Sequence, residues 1–151
     1  MDTLERLRSI LDESQDPDNP DPEALQQIME SVRTVAVVGI SRNPEKAARR
    51  IPAYLAAKGY DVIPVNPFVD EVLGKKVRAT LADVVEPVDM VLVFRPSQEA
   101  AAVVEAATQR PERPVIWLQE GIQADEAAAR ARAQGLSVVQ DLCMYKVHKA
   151  L

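Results

Sequence analysis

Thr34-Val35-Ala36-Val37-Val38-Gly39-Ile40-Ser41-Arg42-Asn43-Pro44 is an apolar, largely β-branched run that stops at a glycine, enters a polar turn and gives way to helix formers from Lys46. The run is too short for a core helix and does not alternate with polar residues, so it predicts a strand covered on both faces. The pattern recurs. Asp61-Val62-Ile63-Pro64-Val65 ends at Asn66-Pro67, and Val88-Asp89-Met90-Val91-Leu92-Val93-Phe94 ends at Arg95-Pro96. Val115-Ile116-Trp117-Leu118 ends at Gln119-Glu120-Gly121, and Leu136-Ser137-Val138-Val139 ends at Gln140-Asp141. Residues 46–58, 97–108 and 124–134 lie between them and are dominated by Ala, Glu, Gln and Arg, all good helix formers.

Apolar strands alternating with helices predict a three-layer α/β, Rossmann-like fold with a mostly parallel central sheet. Right-handed crossovers are expected to put the strand from Thr34 at the sheet centre and the strand from Val88 beside it, with a crevice at their carboxyl ends. Pro64 is a local violation, since proline cannot donate to a ladder, and it requires a strand end or a bulge. Upstream, Leu4, Leu7, Ile10 and Leu11 fall at helical spacing over residues 3–13. Asp16-Pro17-Asp18-Asn19-Pro20-Asp21-Pro22 can neither propagate helix nor pair as a strand. Asp21 and Pro22 read as the N-cap and first residue of a second helix carrying Leu25, Ile28 and Met29. Residues 1–30 are therefore expected to be a helical extension ahead of a Rossmann-like domain over 31–151. The extension is expected either to cover the sheet edge or to mediate self-association into a homo-oligomer.

The 151 residues, 47% hydrophobic and 27% charged, fit one globular domain. Eighteen Lys and Arg against 23 Asp and Glu give a net charge of -5, which argues against a general grip on nucleic acid or an anionic membrane. Cys143 and His148 are single residues of their kinds, too few for an internal disulfide or a zinc cage. The charged N-terminus has no apolar secretion segment, so the expected location is cytoplasmic.

The strand ends carry the functional signal. Gly39 permits close backbone approach, and the helix start that follows offers free amides to an anion. Arg42, Lys46, Arg49 and Arg50 concentrate positive charge there in an acidic chain. This suits a phosphate or diphosphate. A dinucleotide fingerprint would need three glycines where this loop has one, and an acid at the end of the second strand where Asn66 stands. NADP would want an arginine nearby, and none follows Asn66 until Arg78.

Taken in order, several segments resemble the small bacterial CoA-binding proteins, whose single domain is similar to the CoA-binding domain of the succinyl-CoA synthetase alpha subunit. They are Val37-Val38-Gly39-Ile40-Ser41, Val62-Ile63-Pro64-Val65-Asn66-Pro67, Glu71-Val72-Leu73-Gly74-Lys75-Lys76-Val77 and Asp89-Met90-Val91-Leu92-Val93-Phe94-Arg95-Pro96. Trp117-Leu118-Gln119-Glu120-Gly121-Ile122 and Asp141-Leu142-Cys143 complete the set, which spans roughly residues 30 to 148. The resemblance implies that Gly39, Ile40, Ser41 and Arg42, with Lys46 and Arg49 on the next helix, meet the diphosphate of coenzyme A. Asn66 and Pro67 would line the nucleotide side, and Arg95, Pro96, Gln119 and Gly121 the neighbouring wall. It also accounts for the missing acid, which would repel the ribose 3′-phosphate of CoA. Lys75, Lys76 and Arg78 are alternative partners for that phosphate.

No catalytic constellation accompanies these residues. A nucleophile elbow and a Walker A loop are absent, and the synthetase's phosphohistidine belongs to a domain this sequence lacks. His148, near the terminus, is expected to be frayed and exposed. Cys143 reads as an inert buried thiol, or as one within reach of the CoA thiol. Trp117 is expected in the core, with contact to the ligand as its alternative. Asp89, Glu120 and Asp141 read as turn and capping residues. The sequence thus predicts a binder of CoA or an acyl-CoA that is not an enzyme. The competing readings are an NAD(P)-binding enzyme or redox sensor on the same fold, and an interaction module for a ligase-like partner.

Overall fold

The structure, a computed structural model, describes residues 1–151. Two helices, α1 (Thr3–Leu11) and α2 (Pro22–Ser31), precede β1 (Thr34–Val38), α3 (Ala47–Ala57) and β2 (Asp61–Val65). A short hairpin of β3 (Glu71–Val72) and β4 (Lys75–Lys76) leads to β5 (Met90–Val93), α4 (Ser97–Thr108), β6 (Val115–Leu118), α5 (Asp125–Ala133), β7 (Val138–Val139) and α6 (Met144–Ala150). Asp2 and Asp21 cap α1 and α2 by accepting from the amides of Glu5 and Ala24.

The five-stranded sheet has the order β2-β1-β5-β6-β7, and every pairing is parallel. The α/β, Rossmann-like expectation holds, with one correction: β5, not β1, is central. Only β2 lies beyond β1, because residues 66–88 form the hairpin and a helical turn at Leu81–Asp83 instead of a third strand on that side. The winding reverses between β1 and β5, which places a crevice at their carboxyl ends.

Strand side chains alternate between two buried layers. Val35, Val37, Met90, Leu92, Trp117 and Val139 face α1, α2, α3 and α6. Ala36, Val38, Val91, Val93, Ile116 and Leu118 face α4 and α5. The N-terminal helices therefore cover a sheet face and not the edge expected of them, with Leu7 and Leu25 completely buried in the same cluster as β1. Trp117 is fully buried, and its indole N–H donates to the Leu142 carbonyl at 2.9 Å, as a core residue.

Pro64 needs neither a bulge nor a strand end. It pairs with Val37 on a strand at the margin of the sheet, and its carbonyl, accepting from the Arg78 amide at 3.0 Å, points away from β1. Residues 61, 63 and 65 face β1, so the proline nitrogen falls where no ladder bond is lost. His148 departs from expectation. It is half-buried on α6, with Nδ1 2.6 Å from the Tyr54 hydroxyl, because Met144, Val147 and Ala150 anchor one face of that helix.

Candidate functional site

Gly39 closes β1 with φ +90, and its amide donates to the Val65 carbonyl. A Cβ here would lie 2.9 Å from Arg95 Cδ and 3.2 Å from the Phe94 carbonyl carbon, so both the turn and the approach of the chain after β5 require glycine. Ile40 is fully buried and contributes only backbone. Its carbonyl accepts from Asn66 Nδ2 at 2.8 Å, while Asn66 Oδ1 accepts from the Phe68 amide at 2.8 Å. Asn66 thus ties the end of β2 to the first loop, and both ends of its amide are committed.

Pro52 inside α3 contributes to the same loop. Lacking an N–H, it leaves the Ala48 carbonyl without its helical partner, and the Ser41 amide donates to that carbonyl at 3.1 Å. The Ser41 hydroxyl accepts from the Asn43 amide, and Asn43 Oδ1 from Glu45. The loop is consequently folded over the start of α3. There Ala47 and Ala48 have amides with no acceptor in the chain, and Lys46 at the N-cap makes no side-chain capping bond.

Arg42, Lys46 and Arg49 make no ion pair or side-chain hydrogen bond; Arg42 and Lys46 are exposed and Arg49 half-buried. Arg50 donates to the Glu45 carbonyl. The alternative cations differ. Lys75 donates to the Val62 carbonyl and pairs with Asp61, and Arg78 holds both oxygens of Glu86. Lys76 has no carboxylate partner. Free amides, unpaired cations and a glycine cradle converge at the end of β1, which is the donor set a diphosphate needs.

The remaining predicted residues lie at neighbouring strand ends but are not all one surface. Arg95 is against Gly39 and pairs with Glu99 at 2.7 Å; Pro96 is exposed at the N-cap of α4; Pro67 is exposed beside Asn66. Gln119 is buried, and its Oε1 accepts from the Met144 amide at 3.1 Å, locking the start of α6. Gly121 turns toward the N-terminal extension, and its amide donates to Asp141 Oδ1 at 2.6 Å. Asp141 also accepts from the Gln15 amide, and Asp89 accepts from the amides of Arg33 and Thr34, so these acids hold turns.

Sequence reasoning missed a cavity of about 550 Å³ between α3 and α6, lined by Ala47, Arg50, Ile51, Tyr54, Gln119, Glu120, Cys143 and Tyr145. Cys143 is half-buried on this cavity and not sealed in the core. Behind Tyr54, burial and then the Lys58 ammonium hold the His148 imidazole below its ordinary 6.5, so the ring is neutral at neutral pH. Burial pushes the Tyr54 hydroxyl up. Phe68, 81% exposed next to Pro67, was also missed. Spacing held part of the signal: Ala47, Ile51 and Tyr54 recur at helical intervals on one face of α3.

Residues 33–149 match the family described as the CoA binding domain. The chain belongs to that family. A relative, the uncharacterized protein YneT of Bacillus subtilis (strain 168), is 34% identical over 130 residues, covering 86% of this chain and 96% of its own length. A solved hypothetical protein from Pyrococcus horikoshii OT3 superimposes with a TM-score of 0.84 at 32% identity, over 91% of this chain and 96% of that one. The structure of cell-free ID.343 from Thermus thermophilus gives a TM-score of 0.77 at 35% identity, over 84% and 96%. This CoA-binding domain family match begins at residue 33, immediately before β1, and so leaves out α1 and α2. No helix is long and apolar enough to cross a membrane.

Proposed function

We propose that the protein is a cytoplasmic binder of coenzyme A or an acyl-CoA and performs no reaction of its own. The observation that carries this reading is the convergence, at the carboxyl end of β1, of the Gly39 cradle, the unpartnered amides of Ala47 and Ala48, and the unpaired Arg42, Lys46 and Arg49. The diphosphate would rest on those amides, with the adenosine toward Asn66, Pro67 and Phe68. Membership of the CoA-binding domain family supports the same ligand class. Against a nicotinamide dinucleotide, the end of β2 offers no carboxylate to a ribose diol, since Asn66 stands there with its amide already bound.

A thermal-shift titration with CoA, acetyl-CoA, NAD and NADP at matched concentrations tests it. A ligand at about 100 times its Kd adds roughly 2.7 kcal/mol to the folded state. Stabilisation by CoA or acetyl-CoA and not by NAD or NADP is expected; stabilisation by NAD or NADP alone overturns the reading. Loss of acyl-CoA by turnover, followed by free-thiol release on incubation with the protein, would overturn the non-catalytic part.

A further inference from the structure

The cavity between α3 and α6 begins where the diphosphate site ends. Ala47, the first helical residue of α3, belongs to both, and the lining then follows α3 to Tyr54, about 10 Å along the helix. A ligand whose diphosphate lies at the end of β1 and whose adenosine lies toward β2 sends its thiol end the other way, past β5 to the end of β6. Gln119 stands there, and its side chain lines the cavity.

Gln119 is only 6% exposed, and its two amide atoms are treated differently by the fold. Oε1 accepts from the Met144 amide, while Nε2 has no acceptor in the chain and is not sealed away from solvent. Its open side is the cavity that the residue lines. A buried amide donor left open in this way matches a carbonyl oxygen. A thioester supplies one at the tip of an acyl-CoA; the thiol of free CoA is a weak acceptor and does not. Around Gln119 the lining combines Ala47, Ile51, Tyr54, Cys143 and Tyr145 with the charged Arg50 and Glu120, and its volume is within the range of small-molecule sites, about 300–1,000 Å³. The Glu120 carboxylate has the Lys146 ammonium at 3.7 Å, and the Arg50 guanidinium, which donates to the Glu45 carbonyl and meets no carboxylate, is the cation of the lining.

Resting on the CoA-binding reading, we propose that this cavity receives the thioester end of an acyl-CoA carrying a short acyl group, with Gln119 Nε2 donating to the thioester carbonyl. The acylated cofactor, not free CoA, is then the preferred ligand, and Gln119 is a specificity-determining residue.

Calorimetric titration of the intact chain with CoA, butyryl-CoA, succinyl-CoA and adenosine 3′,5′-bisphosphate tests the proposal. Butyryl-CoA is expected to bind at least about tenfold more tightly than CoA through the bond from Gln119 to its carbonyl and burial of its methylenes, and succinyl-CoA, which shares that carbonyl, also more tightly than CoA. Two variants probe the cavity. Gln119→Glu keeps the Oε1 acceptor for Met144 and removes the amide donor; Cys143→Leu fills the cavity at a position whose side chain makes no capping bond. Each is expected to abolish the butyryl-CoA advantage while leaving adenosine 3′,5′-bisphosphate affinity unchanged. Binding of butyryl-CoA and succinyl-CoA no tighter than that of CoA, or an advantage that survives both variants, overturns the acyl site. Failure of all four ligands to bind overturns the CoA reading beneath it.

Discussion

Arg110 and Arg42 show two uses of the same side chain. Arg110 is nearly buried, donates to the carbonyls of Leu81, Val84 and Glu86, and pairs with Glu112 at 2.8 Å. Arg132 is similar, joining Asp16 to the Val138 carbonyl. Around the first loop, Arg42 and Lys46 meet no carboxylate, although the chain holds 23 acids against 18 bases. The fold satisfies Arg110 and Arg132, which hold it together, and leaves Arg42 and Lys46 of the first loop without a carboxylate. Charge alone therefore does not mark the site; charge without a partner, beside free helix amides, does.

That contrast is broken or sharpened first by Arg110→Ala. It leaves the half-buried Glu112 with only the Val88 amide and strips the carbonyls of Leu81, Val84 and Glu86 of their donor, and should lower stability by about 3–5 kcal/mol in urea unfolding, while the folded fraction keeps its CoA affinity. Exchanging Arg42 and Lys46 together for Ala should do the reverse, weakening CoA about 100-fold, or roughly 2.8 kcal/mol, with Tm unchanged. A fall in Tm matching the loss of affinity would erase the distinction. Gly39→Ala belongs to both classes: positive φ and the contact with Phe94 predict a loss of about 1–3 kcal/mol in stability, with weaker CoA binding alongside.

The smallest expected effect is one of pH. Burial pushes the Asp16 carboxyl up, but hydrogen bonds from Gln140, the Asp18 amide and Arg132 outweigh it and hold the group below its ordinary value. Its stabilisation is thus fully present above the ordinary carboxylate range, near pH 4, and is lost as pH falls through the lower folded value. Thermal melts of the wild type should drop in that window, and those of Asp16→Asn should be flatter there.

The alternating strands and helices were legible because each β-branched run ends at its own punctuation, Gly39, Asn66 or Arg95-Pro96. Two elements escaped. The hairpin at Glu71–Lys76 has strands too short for any period, and α6 carries only Met144, Val147 and Ala150 as its apolar stripe. Missing α6 concealed the cavity, since Tyr145 of that helix and Cys143 before it close the side opposite α3. The position of the first loop was legible from Gly39, but not its shape, because the bond from Ser41 to Ala48 depends on a proline eleven residues downstream. Pairing of Lys75 and Arg78 with Asp61 and Glu86 was beyond sequence reasoning too, being fixed by where the hairpin lands.

Asn19 lies in the proline-rich segment between the first two helices, yet its side chain accepts from the Gln140 amide and donates to the Gln140 carbonyl, as a neighbouring strand would. At the opposite margin Pro64 presents no N–H, and Arg78 and Lys75 occupy the outward carbonyls of Pro64 and Val62. Both borders of the sheet are thereby closed to added strands, so polymerisation through backbone pairing is blocked at either end. An assembly of this chain would then be built from side-chain contacts and not from strands added to the central sheet.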